Sequence, residues 1–185
     1  VACCAYQLAS GLSALHAVGI IHRDIAARNI FLSESPDSAK LVVLKIGDFG
    51  QAKYVTRVPN GAANSRLGDD LALPPEIRAG KPHSCPADMF SLGIVLFELM
   101  TLDLCSDASV AVKALTASAA LKRLYPALAP VVCKMLLTEP DQRPEANQME
   151  PQLRELLAQA GMSHRVFTCA HFSWQTAKLI RPKRC

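Results

Sequence analysis

The sequence predicts a mainly α-helical fold with one short β-hairpin, and three patterns support this prediction. Near the N-terminus, apolar residues recur every three or four positions, as on one face of an amphipathic helix. Residues 87–100 are apolar around nearly the whole helical circumference, which predicts a buried helix. Two β-rich runs, 29–32 and 41–46, are separated by a turn-forming stretch at 33–38, which predicts the hairpin.

Composition excludes several classes of protein. Half of the 185 residues are apolar, which is enough for the core of one domain and excludes a disordered chain. The seven cysteines are odd in number and contain no C-x-x-C pair, so we expect free thiols in a reducing compartment. No apolar run approaches the roughly 18 residues of a membrane span.

The net charge of +4 gives no support for a nucleic-acid partner. Residues 162–185 contain five Lys and Arg and no acidic residue, so the basic excess lies in this tail, where it is more often solvated than functional. We therefore expect neither nucleic acid nor a membrane span.

The remaining elements follow in chain order. The first helix is predicted over residues 4–17 and ends before Gly19. Residues 51–75 show no period, and loops of that length are usually functional. After the buried helix, prolines separate further helices predicted at about 108–123, 126–137 and 147–160. The pattern ends at Gly161, which predicts a domain over 1–161 and a poorly ordered basic tail over 162–185.

Two motifs carry the chemistry. Residues 22–29 read H-R-D-I-A-A-R-N and residues 48–50 read D-F-G, with the predicted hairpin between them. In this order they resemble the catalytic loop and the metal-binding motif of eukaryotic protein kinases. Pro74-Pro75-Glu76 stands where that family has A-P-E. The resemblance implies the C-terminal lobe of the protein kinase fold, with the N-terminal lobe absent from this chain.

The resemblance also implies the roles of five residues. Asp24 would accept the proton of the acceptor hydroxyl, and Asn29 and Asp48 would hold Mg²⁺ against the phosphates of ATP. Arg28 matches the catalytic-loop arginine of tyrosine kinases. Phe31 would lie beneath the adenine, where its ring is larger than the usual aliphatic residue and can crowd the nucleotide. ATP and Mg²⁺ are thus the expected cofactors, and a protein is the expected substrate.

Other matching residues have supporting roles. His22 and Phe49 are expected to pack together and position the loops. Arg23 resembles an arginine that meets a phosphorylated residue of the activation segment, although a plain hydrogen bond to a neighbouring loop explains it equally well. Glu76 and Arg143 are expected to form an ion pair.

The acceptor type stays open between Tyr and Ser or Thr. The D-I-A-A-R-N loop favours the tyrosine-kinase or tyrosine-kinase-like group, because Ala26 replaces the lysine that is usual in Ser/Thr kinases. Against this, no tryptophan precedes the A-P-E position, and residues 133–136 resemble the Ser/Thr pattern. Candidate regulatory phosphorylation sites are Tyr54, Thr56 and Ser65.

Departures from the family pattern bear on activity. The glycine-rich loop and the ATP-binding lysine of the family lie upstream of the catalytic loop, and only 21 residues precede His22. We therefore expect this chain to be inactive alone. The complete gene product is expected to act in the cytoplasm, or on the intracellular side if it is part of a receptor. The sequence leaves the oligomeric state open. The alternatives are a non-catalytic pseudokinase-like scaffold, which the intact Asp24, Asn29 and Asp48 disfavour, and a gene-model fragment with a tail from non-coding sequence.

Overall fold

The computed structural model describes residues 1–35, 38–55 and 73–159. Within them the chain is mostly helical, as predicted, with two antiparallel two-stranded sheets. The elements are α1 (Ala2–Ala17), β1 (Ile20–Ile21), β2 (Ile30–Ser35), β3 (Ser38–Ile46), β4 (Lys53–Tyr54), α2 (Pro75–Arg78), α3 (Cys85–Thr101), α4 (Ala108–Ala117), α5 (Ala119–Leu124), α6 (Leu128–Met135) and α7 (Ala146–Gln159). The predicted tail over 162–185 and the candidate phosphorylation sites Thr56 and Ser65 lie outside the described residues.

Helix α1 confirms the predicted amphipathic helix. Its periodic apolar residues are buried, with Leu8 and Leu12 at most 1% exposed, and the helix packs against α7. The helix ends where the sequence indicates. Gly19 has a φ of +73°, a conformation that glycine adopts without strain, and its N–H donates to the carbonyl of His16 at 2.9 Å.

The hairpin is confirmed, but the predicted turn at 33–38 is too long. Strands β2 and β3 pair antiparallel, with Ile30 opposite Ile46, and the ladder continues to the pair Ser35 and Ser38. Backbone groups form these hydrogen bonds, so polar residues that are typical of turns can continue a strand. At the other end of the hairpin, the N–H of Gly47 donates to the carbonyl of Asn29 at 2.9 Å.

Helix α3 forms the centre of the core, as its apolar circumference predicts. Nearly all of its residues from Ala87 to Met100 are buried, and it packs against α1, α4 and α6. Gly93 permits the close approach to α6, because a methyl group at this position would lie 2.9 Å from Leu136 Cδ2.

The single helix predicted over 108–123 is wrong, because the chain forms two helices there. Ser118 has an extended backbone, with φ −70° and ψ 114°, and its hydroxyl accepts a hydrogen bond from the N–H of Leu121 at 3.2 Å. It therefore caps α5 and ends α4. The two later predicted helices are present as α6 and α7.

A second two-stranded sheet joins the chain just before the catalytic loop to the chain just after the D-F-G motif. Strand β1 pairs with β4, and the N–H of Val55 donates to the carbonyl of Gly19 at 2.8 Å. The segment after the D-F-G motif therefore begins beside the catalytic loop. In the part of the chain that the structure describes, no helix is both long enough and apolar enough to span a membrane.

Candidate active site

Helix α3 holds the catalytic loop through the carboxylate of Asp88, which is 1% exposed. Oδ2 accepts from the backbone N–H of His22, and Oδ1 accepts from that of Arg23, both at 2.8 Å. Arg23 has a φ of +71°, which costs a non-glycine residue about 1–3 kcal/mol. Two hydrogen bonds to a buried carboxylate offset this strain.

His16, in the last turn of α1, also contacts Asp88. Its Nε2 lies 3.0 Å from Oδ2 of Asp88. Burial lowers the pKa of His16, but Asp88 and the neighbouring Cys85 raise it more strongly, to about 9. The imidazolium and the carboxylate therefore form a buried ion pair beneath the catalytic loop at neutral pH.

Asp24, Arg28 and Asn29 lie together and are joined by hydrogen bonds. The amide Nδ2 of Asn29 donates to both Oδ2 and the backbone carbonyl of Asp24, each at 2.8 Å. The guanidinium of Arg28 donates to Oδ1 of the same carboxylate. Each carboxylate oxygen thus has one partner, and each keeps a lone pair with which it can accept another hydrogen bond.

The hairpin brings Asp48 to the same end of the molecule. Asn29 and Gly47 are bonded to each other at the foot of the ladder, so Asp48 follows directly beside Asn29. Asp48 is exposed and has a left-handed backbone (φ 59°, ψ 73°), and its Oδ1 accepts from the N–H of Gly50 at 3.2 Å. Residues 19 positions apart in the sequence are therefore neighbours in the fold.

Phe31 lies on the outer surface of this hairpin and is 53% exposed. Its ring lies against Gly47, where an added methyl group would be only 2.6 Å from Cε2 of the ring. Glycine at position 47 therefore lets the ring lie across the backbone beside Asp48.

Asn29 and Asp48 carry oxygen atoms of the kind that Mg²⁺ takes as ligands. Both amide hydrogens of Asn29 are directed to Asp24, which leaves Oδ1 as an acceptor. Mg²⁺ in proteins commonly takes one or two such oxygens and completes its coordination with water and substrate phosphates. Among the described residues, no group of three or more His, Cys, Asp or Glu residues could enclose a metal ion.

The predicted packing of His22 against Phe49 is confirmed, with ring centroids 5.0 Å apart at 65°. Nε2 of His22 lies 3.0 Å from the carbonyl of Gly47, and Nδ1 accepts from the N–H of Asp24 at 3.3 Å. Burial lowers the pKa of His22, so the ring is neutral. The tautomer with hydrogen on Nε2 satisfies both contacts and joins the catalytic loop to the D-F-G segment.

The predicted ion pair of Glu76 and Arg143 is also confirmed. Both guanidinium Nη atoms donate to the carboxylate at 2.7 Å, and both side chains are almost fully buried. The other N–H groups of Arg143 donate to the carbonyls of Leu137, Pro86 and Thr138. All five guanidinium donors are thus satisfied.

A cavity of about 300 Å³ opens beside Asp24. It is lined by the catalytic loop, by Leu73 and Pro74, by His83 and by one face of α3. Its position next to Asp24 suits an incoming hydroxyl group and the residues that flank it.

Sequence reasoning missed His16 and His83 as parts of this site, and it identified Asp88 only by the resemblance of its helix to the central helix of kinases, without a contact to the loop. For Asp88 a signal was present, since a carboxylate within an otherwise apolar buried helix must find partners. His16 and His83 carry no comparable signal, because single histidines are common in helices and loops.

The comparisons agree with this geometry. The family model described as "Protein kinase domain" matches residues 1–160. The chain is 31% identical over 165 residues to serine/threonine-protein kinase STY46 of Arabidopsis thaliana, a match that covers 85% of this chain and 27% of that protein. It is 42% identical over 104 residues to the RAF proto-oncogene serine/threonine-protein kinase of Xenopus laevis, covering 54% of this chain and 15% of that protein.

The chain belongs to the protein kinase domain family. A probable serine/threonine-protein kinase of Dictyostelium discoideum is 41% identical over 99 residues, which cover 54% of this chain and 9% of that protein. The chain thus spans about a quarter or less of the length of these three relatives.

Proposed function

We propose that the chain is the catalytic lobe of a protein kinase, whose complete product transfers the γ-phosphate of ATP to a protein hydroxyl. The observation that carries this proposal is the joint placement of Asp24, Asn29 and Asp48. One hairpin sets Asn29 beside Asp48, and two hydrogen bonds tie Asn29 to Asp24. A scaffold has no need of all three groups.

The residues of the site have separate tasks. Asp24 orients the acceptor hydroxyl and takes its proton, since its carboxylate has lone pairs left and lines the cavity where a substrate would enter. Arg28 and Asn29 fix the direction of this carboxylate. Such positioning supplies much of the catalysis in phosphoryl transfer, where there is little covalent chemistry for the protein to perform.

Asn29 and Asp48 would hold Mg²⁺, which when bound neutralises charge on the phosphate oxygens. The half-exposed ring of Phe31 lies against Gly47, next to Asp48, and in this proposal it would contact the base of the nucleotide.

We further propose that the acceptor is a Ser or Thr hydroxyl and that the chain belongs to the tyrosine-kinase-like group. The D-I-A-A-R-N loop supports the group. The relatives described above are named serine/threonine-protein kinases, which supports the acceptor.

The test is a transfer assay on the longest product of the gene that contains these residues, with radiolabelled ATP, Mg²⁺ and a generic protein substrate. Asp24→Asn should lower the turnover at least about 100-fold, since general bases contribute about that much or more. Asp141→Asn is the matched control, because Asp141 is exposed and lies in the turn after α6, outside the site. The 185-residue chain alone should show little transfer.

Two results would contradict the proposal. If Asp24→Asn keeps full turnover, Asp24 is not the base. If the folded long product binds neither ATP nor Mg²⁺ and transfers nothing, the chain is a scaffold.

A further inference from the structure

Gln7 is a buried polar residue of α1 that joins this helix to the hairpin. It is 7% exposed. Its Oε1 accepts a hydrogen bond from the backbone N–H of Leu44 in β3 at 2.8 Å, and its Nε2 donates to Sγ of Cys3 at 3.4 Å. These two contacts fix the orientation of the amide group, so Oε1 stays directed at the strand.

The amide oxygen of Gln7 satisfies an N–H group that faces away from β2. In the described residues β3 pairs with β2 alone, and at the foot of the ladder the N–H of Gly47 donates to the carbonyl of Asn29. Successive N–H groups of an antiparallel strand point alternately to the partner strand and to the outer edge. Leu44, three positions before Gly47, therefore directs its N–H to the outer edge, where Gln7 accepts it.

Strand β3 leads directly to Asp48, so the position of the strand determines the position of this carboxylate. One turn after Gln7 on α1, Gly11 packs against Ile46, where an added methyl group would lie 3.4 Å from Cδ1. Apolar packing is non-directional and does not fix a strand along its length. The hydrogen bond between Gln7 and Leu44 is directional and does so.

We propose that Gln7 is a positioning residue for the metal-binding motif, which holds β3 so that Asp48 and Asn29 can bind the same Mg²⁺ ion. This inference rests on the proposed function, because it assigns Gln7 to the metal site of that reaction. The catalytic loop holds the same segment from the other side, since Asn29 and His22 both contact the backbone of Gly47. Gln7 supplies the hold from the helix side.

Two substitutions separate the hydrogen bond from the rest of the side chain. Gln7→Met has a similar length but no oxygen acceptor. The partly buried N–H of Leu44 then lacks a partner, which is unfavourable, so the strand has to move until water reaches this group. Gln7→Glu keeps an acceptor oxygen in either protonation state.

Gln148→Met is the matched control. Oε1 of Gln148 also accepts from a backbone N–H, that of Glu145 at 3.2 Å. Gln148 is exposed and lies near the start of α7, outside both α1 and the hairpin. This substitution therefore removes the same kind of hydrogen bond without releasing β3.

The experiment titrates the full chain with Mn²⁺ and follows the NMR signals of the backbone N–H groups. Mn²⁺ is the probe because it takes the same oxygen ligands as Mg²⁺ and broadens the signals of nearby nuclei. In the unmodified chain, the signals of Asn29 and residues 48–50 should broaden. Gln7→Met should need about threefold or more Mn²⁺ for the same broadening, since a site that is correctly placed only part of the time binds more weakly in proportion. Gln7→Glu and Gln148→Met should match the unmodified chain.

Urea unfolding of the same variants distinguishes positioning from a purely structural role. A purely structural role of Gln7 would lower stability without changing the affinity for Mn²⁺. If Gln7→Met is less stable but binds Mn²⁺ as tightly as the unmodified chain, the inference is overturned and the proposed function stands. If the unmodified chain shows no broadening at Asn29 and Asp48, the metal site of the proposed function fails, and the role of Gln7 fails with it.

The transfer assay on the long gene product gives a second measurement. Gln7→Met should raise the KM for Mg²⁺-bound ATP about threefold or more, for the same reason as in the titration, and leave the KM for the protein substrate unchanged. A change in the KM for the protein substrate alone would contradict the assignment of Gln7 to the metal site.

Discussion

Replacing Glu76 by Gln should destabilise the domain more than any exposed charge change does. The carboxylate receives two hydrogen bonds of 2.7 Å from Arg143, whose side chain is 0% exposed. Glutamine retains one acceptor but places an N–H₂ group against the other donor. The buried guanidinium is left with carbonyl partners and the ring of Phe90, 4.8 Å from its centre, but without a counter-charge.

The expected loss follows from this burial. Breaking a buried ion pair on one side costs about 3–5 kcal/mol, which is a large part of the 5–15 kcal/mol that stabilises a typical domain. With a urea dependence of about 2 kcal/mol per molar, the midpoint of unfolding should fall by about 2 M. Urea unfolding followed by circular dichroism measures this shift.

Glu150→Gln is the matched control. Its carboxylate accepts from Arg154 at 3.0 Å and from the hydroxyl of Tyr6 at 3.4 Å, but the side chains of Glu150 and Arg154 are 29% and 49% exposed, so we expect a much smaller loss of stability than for Glu76→Gln. A Glu76→Gln protein that loses no more stability than Glu150→Gln would refute the reasoning. Replacing both Glu76 and Arg143 by Met should recover part of the loss, because no unpaired charge then remains.

Three further predictions concern stability. The pKa of His16 is raised to about 9 in the folded chain, so its ion pair with Asp88 contributes fully to stability below pH 6.5. As the pH rises to about 9, about 3 kcal/mol of this stability should be lost. Urea unfolding at several pH values measures the loss, and in His16→Gln the free energy of unfolding should not fall with pH in this way. Leu102→Gly should raise the free energy of unfolding by about 0.5–1 kcal/mol, because Leu102 has a strained φ of +57° and, at 90% exposure, loses little packing. If the thermal midpoint of this variant does not rise, the backbone at Leu102 is not strained. Gly93→Ala should lower the free energy of unfolding by about 1–3 kcal/mol, because the added methyl group would lie 2.9 Å from Leu136. An unchanged urea midpoint would show that α3 and α6 can move apart at this contact.

The sequence predicted the elements whose side chains repeat regularly. Helix α3 was predicted because apolar residues surround it, and α1 because its apolar face ends at Gly19. The hairpin between the two motifs was also predicted, and its register brings Asn29 next to Gly47, the residue before Asp48.

The errors arose where backbone geometry rather than side-chain pattern decides the structure. Ser118 could continue a helix or cap one, and only its hydrogen bond to the N–H of Leu121 shows which. Likewise, Ser35 and Ser38 could form a turn or a ladder. The partners of Asp88 lie 65, 66 and 72 positions away, separations at which no local pattern could indicate them.

The attachment of the catalytic loop to Asp88 has a consequence for motion. Because the amide groups of His22 and Arg23 are bonded to a carboxylate on the core helix, they should open to solvent only when the core itself opens. Their hydrogen exchange would then be as slow as that of α3, although they lie in a loop. We therefore expect the loop and the core to open as one cooperative unit. On this expectation, regulation of the site would act through the segments around the loop.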